Sequence, residues 1–276
     1  MPSWQFFSHL TAAHLYGIPL PLELSESRAV HVSVQNGYDR PRVKGVVGHR
    51  LKIDDAAVWQ VDGFAVADPV TTWCQLATAL RVDDLIAAGD FIVSGAVLDG
   101  GRSLPLATIN ELRQGKARFA RRRGAKRIAE AVDYVRTEVD SRPESLLRML
   151  LVRAGLDEPH VNIPLFDQFG TRIGRPDLLY PNARLAIEYE GDIHRIDKER
   201  FRRDIARREQ FEDAGTRVVR VTSDDLFGEP DALIARVRRL VKQRTVLPAS
   251  GESLAPVSDR GNDNSPFART GVGERG

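Results

Sequence analysis

A single cysteine, Cys74, stands in a chain of 276 residues. One thiol excludes an intramolecular disulfide framework and any zinc cluster built on several cysteines. Its neighbours Trp73, Leu76 and Ala77 form an apolar helical run, so the thiol is expected in the core. Long hydrophobic runs are also missing. None approaches the ~20 apolar residues of a membrane span, which excludes the membrane as a partner. Met1–Leu10 interrupts its apolar residues with Ser, Gln and His, unlike a secretory signal, and a cytoplasmic location is the expectation. An excess of either charge is lacking too. Forty Lys and Arg face 38 Asp and Glu, for a net charge of +2, so no global field drives nucleic-acid binding. What remains is ordinary for a soluble globular protein: 42% hydrophobic and 28% charged residues, in a length that suits two modest domains or one large one.

The stretch that organises the chain is Arg175–His194, RPDLLYPNARLAIEYEGDIH. It predicts a hairpin: one strand ending at Tyr180, a turn at Pro181-Asn182-Ala183 with Asn182 suited to the left-handed region, and a strand from Arg184 to Glu190. With the turn centred between Asn182 and Ala183, Tyr180 faces Leu185, Leu179 faces Ala186 and Asp177 faces Glu188. Glu190 joins that face through the period of 2. Three carboxylates on one face repel unless a cation, a shared proton or a nearby arginine relieves them. A solvated polar face is the plain alternative. Two basic blocks, Arg118–Arg127 and Arg195–Arg208, supply what binding to a phosphate backbone needs, or the solvated faces of helices.

Around this hairpin the chain divides into four segments. Residues 1–94 predict a small α/β unit. It has a helix through Leu10, Ala13 and His14 closed by Gly17 and Pro19, strands at Val30–Val34, Val43–His49, Val58–Val61 and Phe64–Val66, and helices after Asp68 and over Val82–Val93. Asn36-Gly37 and Asp62-Gly63 signal turns. His9, His14, His31 and His49 show no ligand spacing and are expected in packing or surface roles. Residues 95–137 predict a loop and two helices that bridge to the next unit. Residues 138–244 open with the capping pattern Ser141-Arg142-Pro143-Glu144. Glu144 shares the face of Leu147 and Leu151, so it either satisfies the helix N-terminus or delivers a carboxylate to the hairpin. His160–Phe166 predicts an edge strand broken at Pro164. A helix over Lys198–Ala214 stopped by Gly215, a strand at Arg217–Thr222 and a helix over Pro230–Lys242 follow. Residues 245–276, rich in Gly, Ser, Pro and Asp, predict a disordered tail.

The order helix, strand, hairpin, helix, strand, helix, carrying Glu144, Pro176-Asp177, Glu188-Tyr189-Glu190-Gly191, His194, Asp204, Arg207, Gly215 and VVRVT, resembles the PD-(D/E)XK nuclease superfamily. Within it, the closest likeness is to the bacterial domain family related to very-short-patch repair endonucleases. The resemblance implies an α/β fold: a C-terminal restriction-endonuclease-like mixed sheet flanked by helices, preceded by a smaller α/β domain. It implies that Asp177 and Glu188 ligate Mg2+ (or Mn2+), with the Tyr189 carbonyl as a third donor and Glu144 acting through water. The family's lysine position holds Glu190, which would bind a second metal or serve as general base, with positive charge from Arg175, His194 or Arg207. His194 is equally readable as a satisfied structural histidine. Residues 1–94, through SHLTAAHLYGIPLP, VHVSV, GVVGHR and VDGFAVADPVTTWCQLA, resemble a region of actinobacterial proteins similar to AbiEi-type antitoxins. The winged helix-turn-helix that precedes this region in those relatives is expected to have been lost, or omitted by a late start codon.

Two classes of function follow. In the first, the protein is a metal-dependent DNA endonuclease in repair or phage defence. Asp177 and Glu188 hold the metal, Glu144 and Glu190 orient water, and Arg175, Arg202, Arg203 and Arg207 contact the DNA. In the second, the nuclease-like fold no longer cleaves, and the chain is an antitoxin-like regulator that binds DNA or a protein partner.

Overall fold

Local chemistry sets the first half of the chain. Asp68 caps a helix as its position before Pro69 dictates, its Oδ1 accepting the Thr71 N–H at 3.0 Å. The computed structural model describes residues 2–35, 37–51, 57–167, 169–191, 207 and 209–246. The chain is mixed α/β. Five short strands, β1 (Gln5–Phe7), β2 (Val30–Gln35), β3 (Val46–Leu51), β4 (Val58–Val61) and β5 (Phe64–Ala67), form one sheet in the order β3-β2-β1-β5-β4. Pairs β1–β2 and β4–β5 are antiparallel, whereas β1–β5 and β2–β3 are parallel. The central strand β1 was not foreseen in the sequence, because three residues are too few to show a period. The third strand begins at Val46, later than the expected Val43.

Helices α1 (His9–Leu15), α2 (Leu22–Ser25), α3 (Pro69–Leu76) and α4 (Val82–Ser94) accompany this sheet. A small hairpin of β6 (Val97–Leu98) and β7 (Gly101–Arg102) leads to α5 (Ile109–Arg118) and α6 (Ala125–Tyr134). The last two helices do more than span a gap. Leu112, Ile128, Ala131 and Val132 are buried in one cluster with Leu10, Trp73, Cys74, Leu85 and Ile92. At Gly115, a Cβ would lie 2.6 Å from the Val70 Cγ1, so α5 sits on α3 at a distance only glycine permits. Cys74 is buried as expected.

Helix α7 (Arg142–Arg153) joins two cores. Met149 belongs to the cluster above, while Leu147 and Leu151 pack with Leu178, Leu185 and Ile187. A buried ion pair fastens it to α4. Arg148 Nη2 lies 2.9 Å from Asp90 Oδ2, with both side chains fully buried. Asp90 also accepts from Ser145 Oγ at 2.7 Å and the Arg136 N–H at 2.7 Å. These bonds compensate a burial that isolated charges would not survive.

The second sheet contains β8 (His160–Val161), β11 (Leu178–Tyr180), β12 (Leu185–Glu190) and β13 (Arg217–Thr222), in the order β13-β12-β11-β8. Strand β12 runs parallel to β13 and antiparallel to β11. Its sequence LAIEYE alternates as a strand must. Leu185 and Ile187 enter the core with α7 and with Leu233 and Val237 of α8 (Pro230–Val246). Ala186 faces the opposite side, with Phe211, Leu179 and Val218. Each buried Leu, Ile, Val or Phe among them contributes about 1.5–3 kcal/mol. Strand β8 ends before Asn162, whose φ is +50°, earlier than the break expected at Pro164, and the chain continues past the proline as β9 (Leu165–Phe166), which pairs through a bulge with β10 (Arg172–Gly174) in a separate ribbon. The helix before β13 stops at Gly215, whose φ is +73°, as its sequence position predicts. The proposed start of that helix at Lys198 and the tail beyond 246 lie outside the described residues. Among the described residues, no helix is long and apolar enough to cross a membrane.

Candidate functional site

The hairpin adopts the register its sequence predicts, with Tyr180 opposite Leu185 and Leu179 opposite Ala186. The turn differs in detail. Pro181–Ala183 forms one 3-10 turn, and the left-handed residue is Arg184 (φ 45°, ψ 49°), not Asn182. A Cβ at position 215 would lie 3.1 Å from Arg184 Nη1, so the guanidinium rests against Gly215. The ladder ends at Leu178 opposite Ile187. One residue earlier, the Asp177 carboxylate accepts the Tyr189 N–H at 2.7 Å, and the Asp177 carbonyl accepts the Asn162 N–H at 3.0 Å.

Asn162 is the residue that ties the site together. It lies in the left-handed region at φ 50°. Its amide donates to Glu144 Oε2 at 3.0 Å and to the Glu138 carbonyl at 2.8 Å. Sequence reasoning passed over it, although an Asn inside a β-rich run is a signal for exactly such a backbone excursion. Glu144 fills both roles foreseen for it. It takes the Asp140 N–H at 3.1 Å and the Ser141 hydroxyl at 2.8 Å, sealing the start of α7. It is also a buried carboxylate close enough to Asp177 to act on it electrostatically. Burial raises the Glu144 pKa above the ordinary carboxylate range, against the pull of its hydrogen bonds. Asp177 is pushed up to about 8 by burial first and then by the negative charges of Glu144 and Glu188, with the Tyr189 N–H and Arg207 pulling the other way.

The positive groups sit in defined places. Arg207 lies 2.6 Å from Glu188, donates to the Arg175 carbonyl at 3.1 Å and rests over the Phe211 ring. Arg175 pairs with Asp140 and reaches Glu138 at 3.8 Å. Glu190 pairs with Arg220 at 2.7 Å, a partner the sequence did not suggest because it comes from the parallel strand β13. Thus Glu144, Asp177, Glu188, Arg175 and Arg207 form one connected site, with Glu190 on the same strand beside it. His194, Arg202 and Arg203 lie outside the described residues. Of the basic block 118–127, Arg118, Arg121, Arg123, Lys126 and Arg127 are exposed on and between α5 and α6.

This site gathers hard carboxylate oxygens around an Asp177 pushed up to about 8, and oxygen donors of this kind are those that hard divalent cations take. A second cluster lies far away in sequence. The histidines expected to be scattered, His9, His31 and His49, come together, with ring nitrogens all within 4.8 Å of one another. Spacing concealed them, since the parallel β2–β3 pair and the first residue of α1 supply them separately. Burial pushes His9 down to about 3 and His49 down to about 4, and it lowers His31 as well.

No family model matches the chain. It is similar to two uncharacterized proteins of Mycobacterium tuberculosis, MT2308 of strain CDC 1551 and Rv2248 of strain H37Rv. Each is 28% identical over 229 residues, spanning 83% of this chain and 78% of the relative.

Proposed function

We propose that the chain carries a PD-(D/E)XK-like nuclease fold and hydrolyses DNA phosphodiester bonds with a divalent metal ion held by Asp177 and Glu188. The observation that carries this reading is Asp177, buried beside the carboxylates of Glu144 and Glu188, held by burial and their charges above the ordinary carboxylate range, and tethered through its side chain and its carbonyl to the backbone. Aspartate in that setting is costly without a cation. The donor set fits Mg2+ or Mn2+: carboxylate oxygens, with the Tyr189 carbonyl on the same strand. A bound ion would polarise a scissile phosphate and acidify a water. The chain's own groups do the rest. Asp177 would have to release its proton to serve as a ligand. Arg207 aligns Glu188 at 2.6 Å. Glu144 is held by three donors and adds its negative charge beside Asp177. The exposed arginines of residues 118–127 suit a phosphate backbone.

A second reading rests on the ion pairs. Glu188 is met by Arg207, and Glu190, at the position of the family's lysine, by Arg220 at 2.7 Å. Carboxylates compensated by arginine need no metal, and the protein is then a non-cleaving module that binds DNA or a toxin-like protein partner. Calorimetric titration of Mg2+ and Mn2+ into wild type and Asp177→Asn, with nicking of supercoiled plasmid scored on the same samples, separates the two. The endonuclease reading expects metal binding and nicking by wild type only. A wild type that neither binds metal nor nicks leaves the binding module.

A further inference from the structure

Strands β2 and β3 run parallel with His31 opposite Val47 and Ser33 opposite His49, so the two histidines sit diagonally across one strand pair. Their nearest nitrogens, His31 Nδ1 and His49 Nε2, are 3.0 Å apart. His9 opens α1 directly above them, its ring stacked on His49 with centroids 3.7 Å apart. Two nitrogens bound to one zinc ion at about 2.0–2.1 Å in tetrahedral geometry lie about 3.3 Å from each other. The His31–His49 spacing is within a few tenths of an ångström of that value. The third ring, stacked on His49 with one ligand nitrogen of each ring within 4.8 Å of the others, must turn out of the stack to point its nitrogen at the same ion.

The supports around the rings are those of a ligand set. The His9 backbone is held in the left-handed region at φ 53°, and its N–H donates to Gln75 Oε1 of α3 at 2.9 Å. His9 Nδ1 lies 3.1 Å from the Ser8 hydroxyl, which in turn accepts from the buried Ser33 hydroxyl at 2.8 Å. Ser8 thus engages His9 Nδ1 and leaves Nε2 as the ring nitrogen open to a ligand, and an outer hydrogen bond of this kind is how a metal-ligating imidazole is held in place. All three imidazoles are half-buried. Among the described residues the group has these three members and no acid or thiol.

We infer that His9, His31 and His49 form a three-imidazole site for a transition-metal ion of the zinc class, whose fourth position is taken by water or an anion from solution. Neutral nitrogen donors favour Zn2+ and its neighbours over Mg2+ or Ca2+, so this site and the carboxylate site select different ions. Bound zinc ties the start of α1 to β2 and β3, across the edge of the first sheet.

The test uses the full chain, stripped of metal and of any histidine tag. Zn2+ is titrated against a chromophoric chelator, and Co2+ is added to the same protein as a spectroscopic probe. One equivalent of Zn2+ per chain is expected, with a rise in Tm and with intense tetrahedral Co2+ absorption. His31→Asn and His49→Asn, each checked for folding by its metal-free Tm, should weaken Zn2+ binding by about a hundredfold or more. His14→Asn should not, because the His14 ring bonds instead to the Leu10 and Ser25 carbonyls. Wild type that binds no Zn2+ below about 100 µM, or that gives Co2+ only an octahedral spectrum, overturns the inference. So does a zinc signal that survives both Asn variants, or one that disappears in Asp177→Asn, which would assign the ion to the carboxylates.

Discussion

Replacing Asp177 by Asn should make the metal-free protein more stable, by an amount that grows with pH. The free carboxyl group titrates near its ordinary value of 3.8 in the unfolded chain and at about 8 in the folded one. Between those values only the folded state keeps the proton. The unfolded state therefore binds fewer protons, and wild-type stability falls as pH rises through this window, by about 1.4 kcal/mol per unit. Asparagine keeps an acceptor for the Tyr189 N–H and does not titrate. The stability gap between variant and wild type should thus widen by about 3 kcal/mol from pH 5 to pH 7 and level off near pH 8. Urea unfolding followed by circular dichroism at several pH values reads it directly. With m-values of about 1–3 kcal/mol per molar, the midpoints should separate by about 1 M or more. A gap that stays constant with pH would refute the reasoning. It would mean that Asp177 is ionised in the folded protein and compensated by Arg207, and that its surroundings create no demand for a cation.

Two further expectations concern the scaffold. Asp90→Ala removes the partner of a fully buried Arg148 and strands the Ser145 hydroxyl and the Arg136 N–H; a loss of about 3–5 kcal/mol in denaturant unfolding is expected, moderated by the Arg148–Glu158 contact at 2.7 Å. Gly115→Ala would normally gain up to about 1 kcal/mol of helix propensity, but its Cβ would meet Val70 at 2.6 Å and Cys74 at 3.1 Å. The variant should therefore lose about 1–3 kcal/mol, read as a drop in Tm, and a gain would show that α5 moves off α3 without cost.

Much of the second half was written in short-range pattern. Alternation in LAIEYE and RVVRVT, the Ser141–Glu144 cap, and glycine at position 215 act over a few residues, and β12, β13, α7 and the helix stop all form where those signals lie. The hairpin register followed from the turn, because a slip of one residue would turn Leu185 and Ile187 away from the core. The sequence by itself therefore determined the mixed α/β character and the placing of Asp177 and Glu188 at the open end of one hairpin. Tertiary structure decided which charges meet. Arg220 reaches Glu190 only because β13 lies parallel to β12, and Asn162 links Glu144 to Asp177 only because β8 docks beside β11. The three histidines make the same point. They are 22 and 18 residues apart in the chain, and no local period connects residues brought together by a parallel strand pair and the helix above it. Periodicity encodes which face a side chain takes, whereas the neighbours on that face are set by strand order, which free energy decides over the whole core.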